Sequence, residues 1–220
     1  MILMLQFLIT TTIAMLVYEG GNNLNPRAES YEFARNTFSE LGRVYAFTGE
    51  EKPLSRWLFT AAMVLSGTGL VLAHAAFPWL FRETRPGGRP LAASAAIIGS
   101  IVGLGFVGIG IFPTDVRTDA HYIAVYFAFT GMLPAVLATL AALFRHPRAP
   151  LLSRVIHGAF SAVLLAYLYL IWFGPPLASP DGLLLQVIGQ KLIVYLGILG
   201  MTAQTAIALR RLNAQIRRPD

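Results

Sequence analysis

An all-α integral membrane protein, a bundle of six transmembrane helices, is the fold class this sequence predicts, and three observations carry it. Of 220 residues, 55% are hydrophobic and 13% charged, with a mean hydropathy of +0.61; soluble domains carry nearer a quarter charged residues. Six apolar stretches approach or exceed the length that crosses a bilayer. The arginines sit almost entirely in alternate connections between those stretches, as the charge bias of membrane proteins requires.

In chain order the spans are 2–18, 57–81, 91–112, 121–144, 151–173 and 183–209, within a single domain, 1–220. At about 1.5 Å of rise per residue, about 20 helical residues cross the roughly 30 Å hydrocarbon core. The first stretch is short, but it has no basic leader, and Leu16-Val17-Tyr18-Glu19 offers no small-residue cleavage site. It is expected to be retained as a span.

The long first connection is expected to contain an amphipathic helix over 26–46. Asn25-Pro26 reads as an N-cap followed by proline at the first helical position. Tyr31, Ala34, Phe38, Leu41 and Tyr45 form one apolar stripe at helical spacing, with Glu29, Glu32, Asn36, Glu40 and Arg43 opposite,. Such a helix would lie over the mouth of the bundle, apolar side down. Gly42 would end it in the left-handed conformation that glycine suits.

The third span is rich in small residues, including the GxxxG pair Gly99 and Gly103. Small residues let backbones approach closely, so this span is placed at the centre of the bundle. In the sixth span Gln186, Gln190, Gly197 and Gln204 trace one face, where amides can bond between helices,.

Arg82, Arg85 and Arg89 occupy the second connection, Arg145 and Arg148 the fourth, and Arg210, Arg211, Arg217 and Arg218 the C-terminal tail. This puts both termini in the cytoplasm and the first connection outside a plasma (inner) membrane. Trp57 and Trp172 fall at the outer ends of their spans and Trp79 at an inner end, as interfacial belts require,. The net charge of +6 reflects topology and affinity for anionic lipid. It does not point to nucleic acid, because the arginines are divided among separate segments without an aromatic platform. The absence of cysteine excludes disulfides and thiolate chemistry.

Ser39, Glu40, Asp115, Asp119 and His121 fall at the same outer surface. Ser39, Glu40 and His121 are the ingredients of nucleophilic acyl transfer. Glu40, Asp115 and His121 would equally suit a hard divalent cation. Asn36, Glu40, Asp115, Asp119, His121 and Lys191 could together line a ligand pocket, Lys191 binding an anionic headgroup or pairing with Glu40 or Asp115. Asp119 could instead simply cap its helix. His74 and His157 share a depth on different spans, a geometry that can clamp a haem; a neighbouring carbonyl or hydroxyl satisfies each imidazole more simply, so no haem is expected.

Asn36-Thr37-Phe38-Ser39-Glu40-Leu41-Gly42, with Gly108, Gly110, Phe112, Pro113, Asp115 and His121, resembles a known pattern. An uncharacterised prokaryotic six-span membrane family, domain of unknown function 998, has an N-x-x-S-[DE]-L-G stretch after its first span. Its third span ends in G-x-G-x-F-P, with an acidic residue soon after and a histidine opening the next span. The resemblance covers the whole layout and implies a fold and a distinctive outer face, but no reaction. The long charged first connection departs from the family's usual pattern.

The function expected from these features is binding of a membrane lipid or small amphiphile at the outer pocket, with the first connection as a lid. A non-catalytic subunit of a larger membrane complex is the alternative, and a hydrolase or transporter using the acidic and histidine cluster a further one.

Overall fold

The computed structural model describes residues 1–51, 53–81 and 85–216. Arg82, Arg217 and Arg218, which the charge reading uses, lie outside the described residues. Among the described residues there are seven α-helices: α1 (Ile2–Leu16), α2 (Phe38–Leu41), α3 (Pro53–Ala76), α4 (Gly88–Ile111), α5 (Thr118–Arg145), α6 (Leu151–Phe173) and α7 (Pro180–Ile216). A 3-10 turn over Phe77–Phe81 continues α3. Helices α3 to α7 are long and apolar enough to cross a membrane, and α1 is a shorter apolar helix. No strand occurs among the described residues.

The helices form a ring in chain order. α3 packs on α4, α4 on α5, α5 on α6 and α6 on α7, and α1 closes the circle between α7 and α3. α1 buries Met4, Phe7, Thr11 and Ala14, one face of the helix. The outward faces stay apolar: Leu65, Leu104, Leu165 and Leu199 are exposed, as lipid-facing positions should be. Trp57 and Trp172 are exposed at one end of the ring and Trp79 at the other.

α4 packs between α3 and α5 as one member of the ring, not at its centre as the small-residue pattern was expected to place it. A side chain at Gly103 would collide with the carbonyl of Gly67 and with Val71 on α3. A side chain at Gly99 would overlap the ring of His74. The glycines therefore set the α3–α4 distance, where close packing is the main source of helix association in lipid.

The first connection corrects the sequence expectation. The helix anticipated over 26–46 is absent; only Phe38–Leu41 is helical, and residues 20–37 run as turns and bends. The reason is local competition by asparagine side chains. Asn22 Oδ1 accepts from the backbone N–H groups of Leu24 and Asn25 at 3.0 and 2.8 Å, and Asn25 Oδ1 accepts from that of Arg27 at 3.2 Å. Asn36 Oδ1 accepts from Glu32 N at 2.8 Å. Gly20 and Gly21, at φ 94° and 84°, reverse the chain where side-chain-bearing residues would be strained,.

Helix α2 starts afresh at Thr37. Thr37 Oγ1 accepts from Glu40 N, and the Glu40 carboxylate accepts from Thr37 N, a capping box. Gly42 ends the helix, but at φ −89° rather than in the left-handed region. Its role is close approach, since a Cβ there would meet the Phe59 ring. The apolar stripe still does its work without the helix: Phe38 and Leu41 enter the core with Phe7, Tyr18 and Phe59. Phe38 packs edge-on against Phe7 and Tyr195. The connection thus caps one end of the ring.

Candidate functional site

A polar cluster lies buried beneath this cap. Asn22, Asn36, Glu40, His121 and Lys191 are each 3% exposed or less, and buried polar groups of this kind must find partners. Asn36 is the hub. Its Nδ2 donates to Gly21 O at 2.7 Å and to Glu40 Oε2 at 2.7 Å, and lies 3.3 Å from the Tyr18 hydroxyl. Its backbone carbonyl accepts from Lys191 Nζ and from the Tyr31 hydroxyl. Asn23 donates to the other oxygen of Glu40 at 3.1 Å. Burial pushes the Glu40 carboxyl up to about 7, against the donors of Asn36 and Thr37 and the charges of Arg43 and Lys191,.

Lys191 does not bind at the surface. Its Nζ lies about 5 Å from the ring centres of Tyr31, Phe33 and Phe38, a cage whose faces suit a cation. Among the described residues Lys191 makes no ion pair with Glu40; Asn36 stands between them. Its contacts are therefore with the cap itself. It holds the cap down.

Asp115 has a different task. Its carboxylate accepts from Val44 N at 3.1 and 3.0 Å and from Tyr45 N at 2.9 Å, which ties the α4–α5 connection to the end of the cap. Asp119 is exposed in the first turn of α5, where its charge complements the helix dipole. Glu40, Asp115 and His121 therefore do not gather as cation ligands. Among the described residues no group of three or more candidate ligands is found.

His121 and Ser39 do meet. His121 Nδ1 lies 2.7 Å from the carbonyl of Phe112, and its Nε2 lies 2.9 Å from Ser39 Oγ. A carbonyl cannot donate, so Nδ1 carries the proton and the Ser39 hydroxyl donates to Nε2. The expected serine and histidine are thus paired, but the group orienting the imidazole is a backbone carbonyl rather than Glu40 or Asp115. The Phe38 N–H donates to Gln190 Oε1 at 2.8 Å, which places the Gln190 side chain beside the pair.

Two hollows meet here. A pocket of about 420 Å³ opens among Asn23, Glu40, Arg43, His121, Tyr126 and Gln186. A second, apolar cavity of about 150 Å³ runs down the centre of the ring and is lined by α1 and the five longer helices, from Phe38 at one end to His74, His157 and Gln204 at the other. Ser39, Val125 and Gln190 line both. From Gln190 to Gln204 the cavity follows α7 for about 21 Å by helical rise. That exceeds half of the roughly 30 Å hydrocarbon core.

Sequence reasoning placed Gln186, Gln190 and Gln204 on an inward face, and they are there: Gln186 Nε2 donates to Leu170 O at 2.9 Å and Gln204 Nε2 to Ser153 O at 3.4 Å. It missed Tyr18, Asn22, Asn23 and Thr37. Only Thr37 announced itself, through the Thr37-x-x-Glu40 capping signature.

Residues 25–209 match the family described as protein of unknown function (DUF998), and the chain belongs to that family. No curated protein and no solved structure matches it.

Proposed function

We propose that this DUF998 protein binds a membrane amphiphile, with the polar end in the pocket under the cap and the apolar chain in the central cavity. One observation carries the reading: the polar pocket and the apolar cavity share a junction at Ser39, Val125 and Gln190. A ligand spanning that junction needs one polar and one apolar end, and sites that bury most of a ligand in apolar walls with few polar groups are the usual binding geometry. The apolar walls along α7 suit the apolar part of such a ligand better than its headgroup.

The same reading completes the topology. α1 spans about 22 Å by helical rise and holds a place in the ring equal to those of the five longer helices, so the chain makes six passes. With both termini and the arginine-bearing connections in the cytoplasm, the pocket faces out from the plasma membrane. Single cysteines at Gly87→Cys and Arg148→Cys should resist an impermeant thiol reagent in intact cells, whereas Glu50→Cys should react.

Binding is tested with a photoactivatable long-chain phospholipid, followed by peptide mapping. Crosslinks should fall on cavity residues such as Val194 and Met201. Gly197→Leu, whose new side chain would enter the cavity beside Phe160, should lower them severalfold without unfolding the protein. Crosslinks confined to the outer surfaces of the helices, unchanged by Gly197→Leu, would refute the reading.

A further inference from the structure

We infer that Ser39 is an acyl-accepting nucleophile and that the bound amphiphile is a carboxylic ester, its acyl chain in the central cavity and its alcohol portion in the polar pocket. The inference rests on the amphiphile reading and adds chemistry to it. Three features carry it. The Ser39 hydroxyl donates to His121 Nε2 at 2.9 Å, within the range of an activated nucleophile and its base. The proton on Nδ1 is fixed by Phe112 O at 2.7 Å, so the imidazole is held in the one tautomer that can accept from serine. Ser39 stands at the junction of both hollows, where the carbonyl of such an ester would lie.

A simple packing role explains less. A buried imidazole needs its two nitrogens satisfied, and any hydroxyl would serve for Nε2. Packing alone gives no reason for that hydroxyl to stand at the boundary of a polar and an apolar hollow. It also does not account for the adjacent amide. Gln190 Oε1 is pinned by Phe38 N–H at 2.8 Å, and among the described residues its Nε2 donors have no hydrogen-bond partner. Gln190 lines both hollows, so those donors are available to a developing oxyanion.

The steps balance without a further reactant beyond water. Ser39 Oγ attacks the ester carbonyl carbon as its proton passes to His121 Nε2. The bond from that carbon to the alkoxy oxygen breaks, and Nε2 returns the proton to the departing alcohol. Water entering by the polar pocket then attacks the acyl-Ser39 ester, its proton moves to Nε2, and Ser39 leaves with that proton. One ester and one water give one acid and one alcohol. A second alcohol in place of the water would make the reaction a transfer between lipids.

The test uses the full-length protein in membranes and a long-chain alkyl fluorophosphonate, which reacts with activated serines. Peptide mapping should place the label on Ser39 in the wild-type protein, faster for long than for short alkyl chains. Ser39→Ala should abolish labelling at that peptide. His121→Gln should slow it by about 100-fold or more, the usual contribution of a general base, while photo-lipid crosslinks in the cavity persist. Absence of label on Ser39 in protein that still crosslinks lipid in the cavity would overturn the acyl-transfer inference and leave the binding reading standing. Absence of both would remove both. Labelling of Ser39 at an unchanged rate in folded His121→Gln would overturn the assignment of His121 as base.

Discussion

Histidines stand toward opposite ends of the ring, His121 in the wall of the polar pocket and His74 and His157 at the far end of the central cavity, and they differ in where their bonds go. At one end His121 reaches outside its helix, to the carbonyl of Phe112 nine residues back and to a serine 82 residues away. At the other end His74 and His157 turn Nδ1 to the carbonyl four residues back on their own helices, Leu70 and Ser153, at 3.0 and 2.9 Å. An imidazole satisfied by its own helical turn asks nothing of the rest of the fold. One that joins three chain segments fixes their relative positions and commits its second nitrogen to a partner. The position of a histidine in a span does not separate the two cases. The identity of its partners does.

The same contrast sets the size of the expected effects. Asn36→Ala strikes the cap hardest, because the amide side chain joins Gly21, Glu32 and Glu40 at once. Leaving buried donors and acceptors unpaired costs about 1–3 kcal/mol per group, so a loss of about 3 kcal/mol or more is expected in denaturant unfolding from micelles. A loss under about 0.5 kcal/mol would mean that the cluster is not one cooperative unit. His121→Ala comes next, at about 2 kcal/mol, since Phe112 O and Ser39 lose a buried partner.

Glu40 gives a smaller effect with a definite sign. Its pKa in the fold, about 7, lies above the ordinary 4.5, so the folded cap binds the proton more tightly than the open chain does. Its favourable contribution is complete below about pH 4.5 and is lost as pH rises through about 7. Amide exchange in residues 20–45 should therefore be severalfold faster at pH 8 than at pH 5, after correction for intrinsic exchange. Glu40→Gln keeps the hydrogen bonds from Asn36 and Thr37 and should flatten that dependence. A dependence of opposite slope would show that the three donors around the carboxylate outweigh its burial.

How much of this was legible in the sequence follows the same division. The spanning helices were, because long apolar stretches and basic connections are one-dimensional signals. The close packing of α4 on α3 was, through Gly99 and Gly103, whose lack of side chains admits His74 and Gly67, although α4 takes one place in the ring and not its centre. The cap was misread for a physical reason. Spacings of three and four among Tyr31, Ala34, Phe38 and Leu41 can arise from a turn-rich segment whose asparagines replace helical hydrogen bonds with their own. Glu40, placed opposite the apolar stripe of that helix, is buried at 3% exposure for the same reason. The pairing of Ser39 with His121 was legible only as a list of ingredients. Nothing local in the sequence links positions 82 residues apart, and the orienting group proved to be a main-chain carbonyl, which every residue possesses.

The smallest effect belongs to the opposite end of the cavity, and it bears most directly on the comparison. His157→Leu removes one bond to Ser153 O, but that carbonyl keeps the helical N–H of residue 157 and the amide of Gln204 at 3.4 Å. The leucine adds apolar surface to a cavity already apolar, so the lost hydrogen bond and the gained burial should nearly cancel. Stability is expected to change by less than about 1 kcal/mol, with fluorophosphonate labelling at Ser39 unaltered. Purified wild-type protein should likewise show no b-type absorption in a reduced-minus-oxidised spectrum, since each imidazole already has its helical carbonyl. A loss of 2 kcal/mol or more, or a b-type spectrum that His157→Leu abolishes, would reverse the comparison. The two histidines near the arginine-bearing end would then face a shared ligand in the cavity, and the chemistry of the protein would lie there rather than beneath the cap.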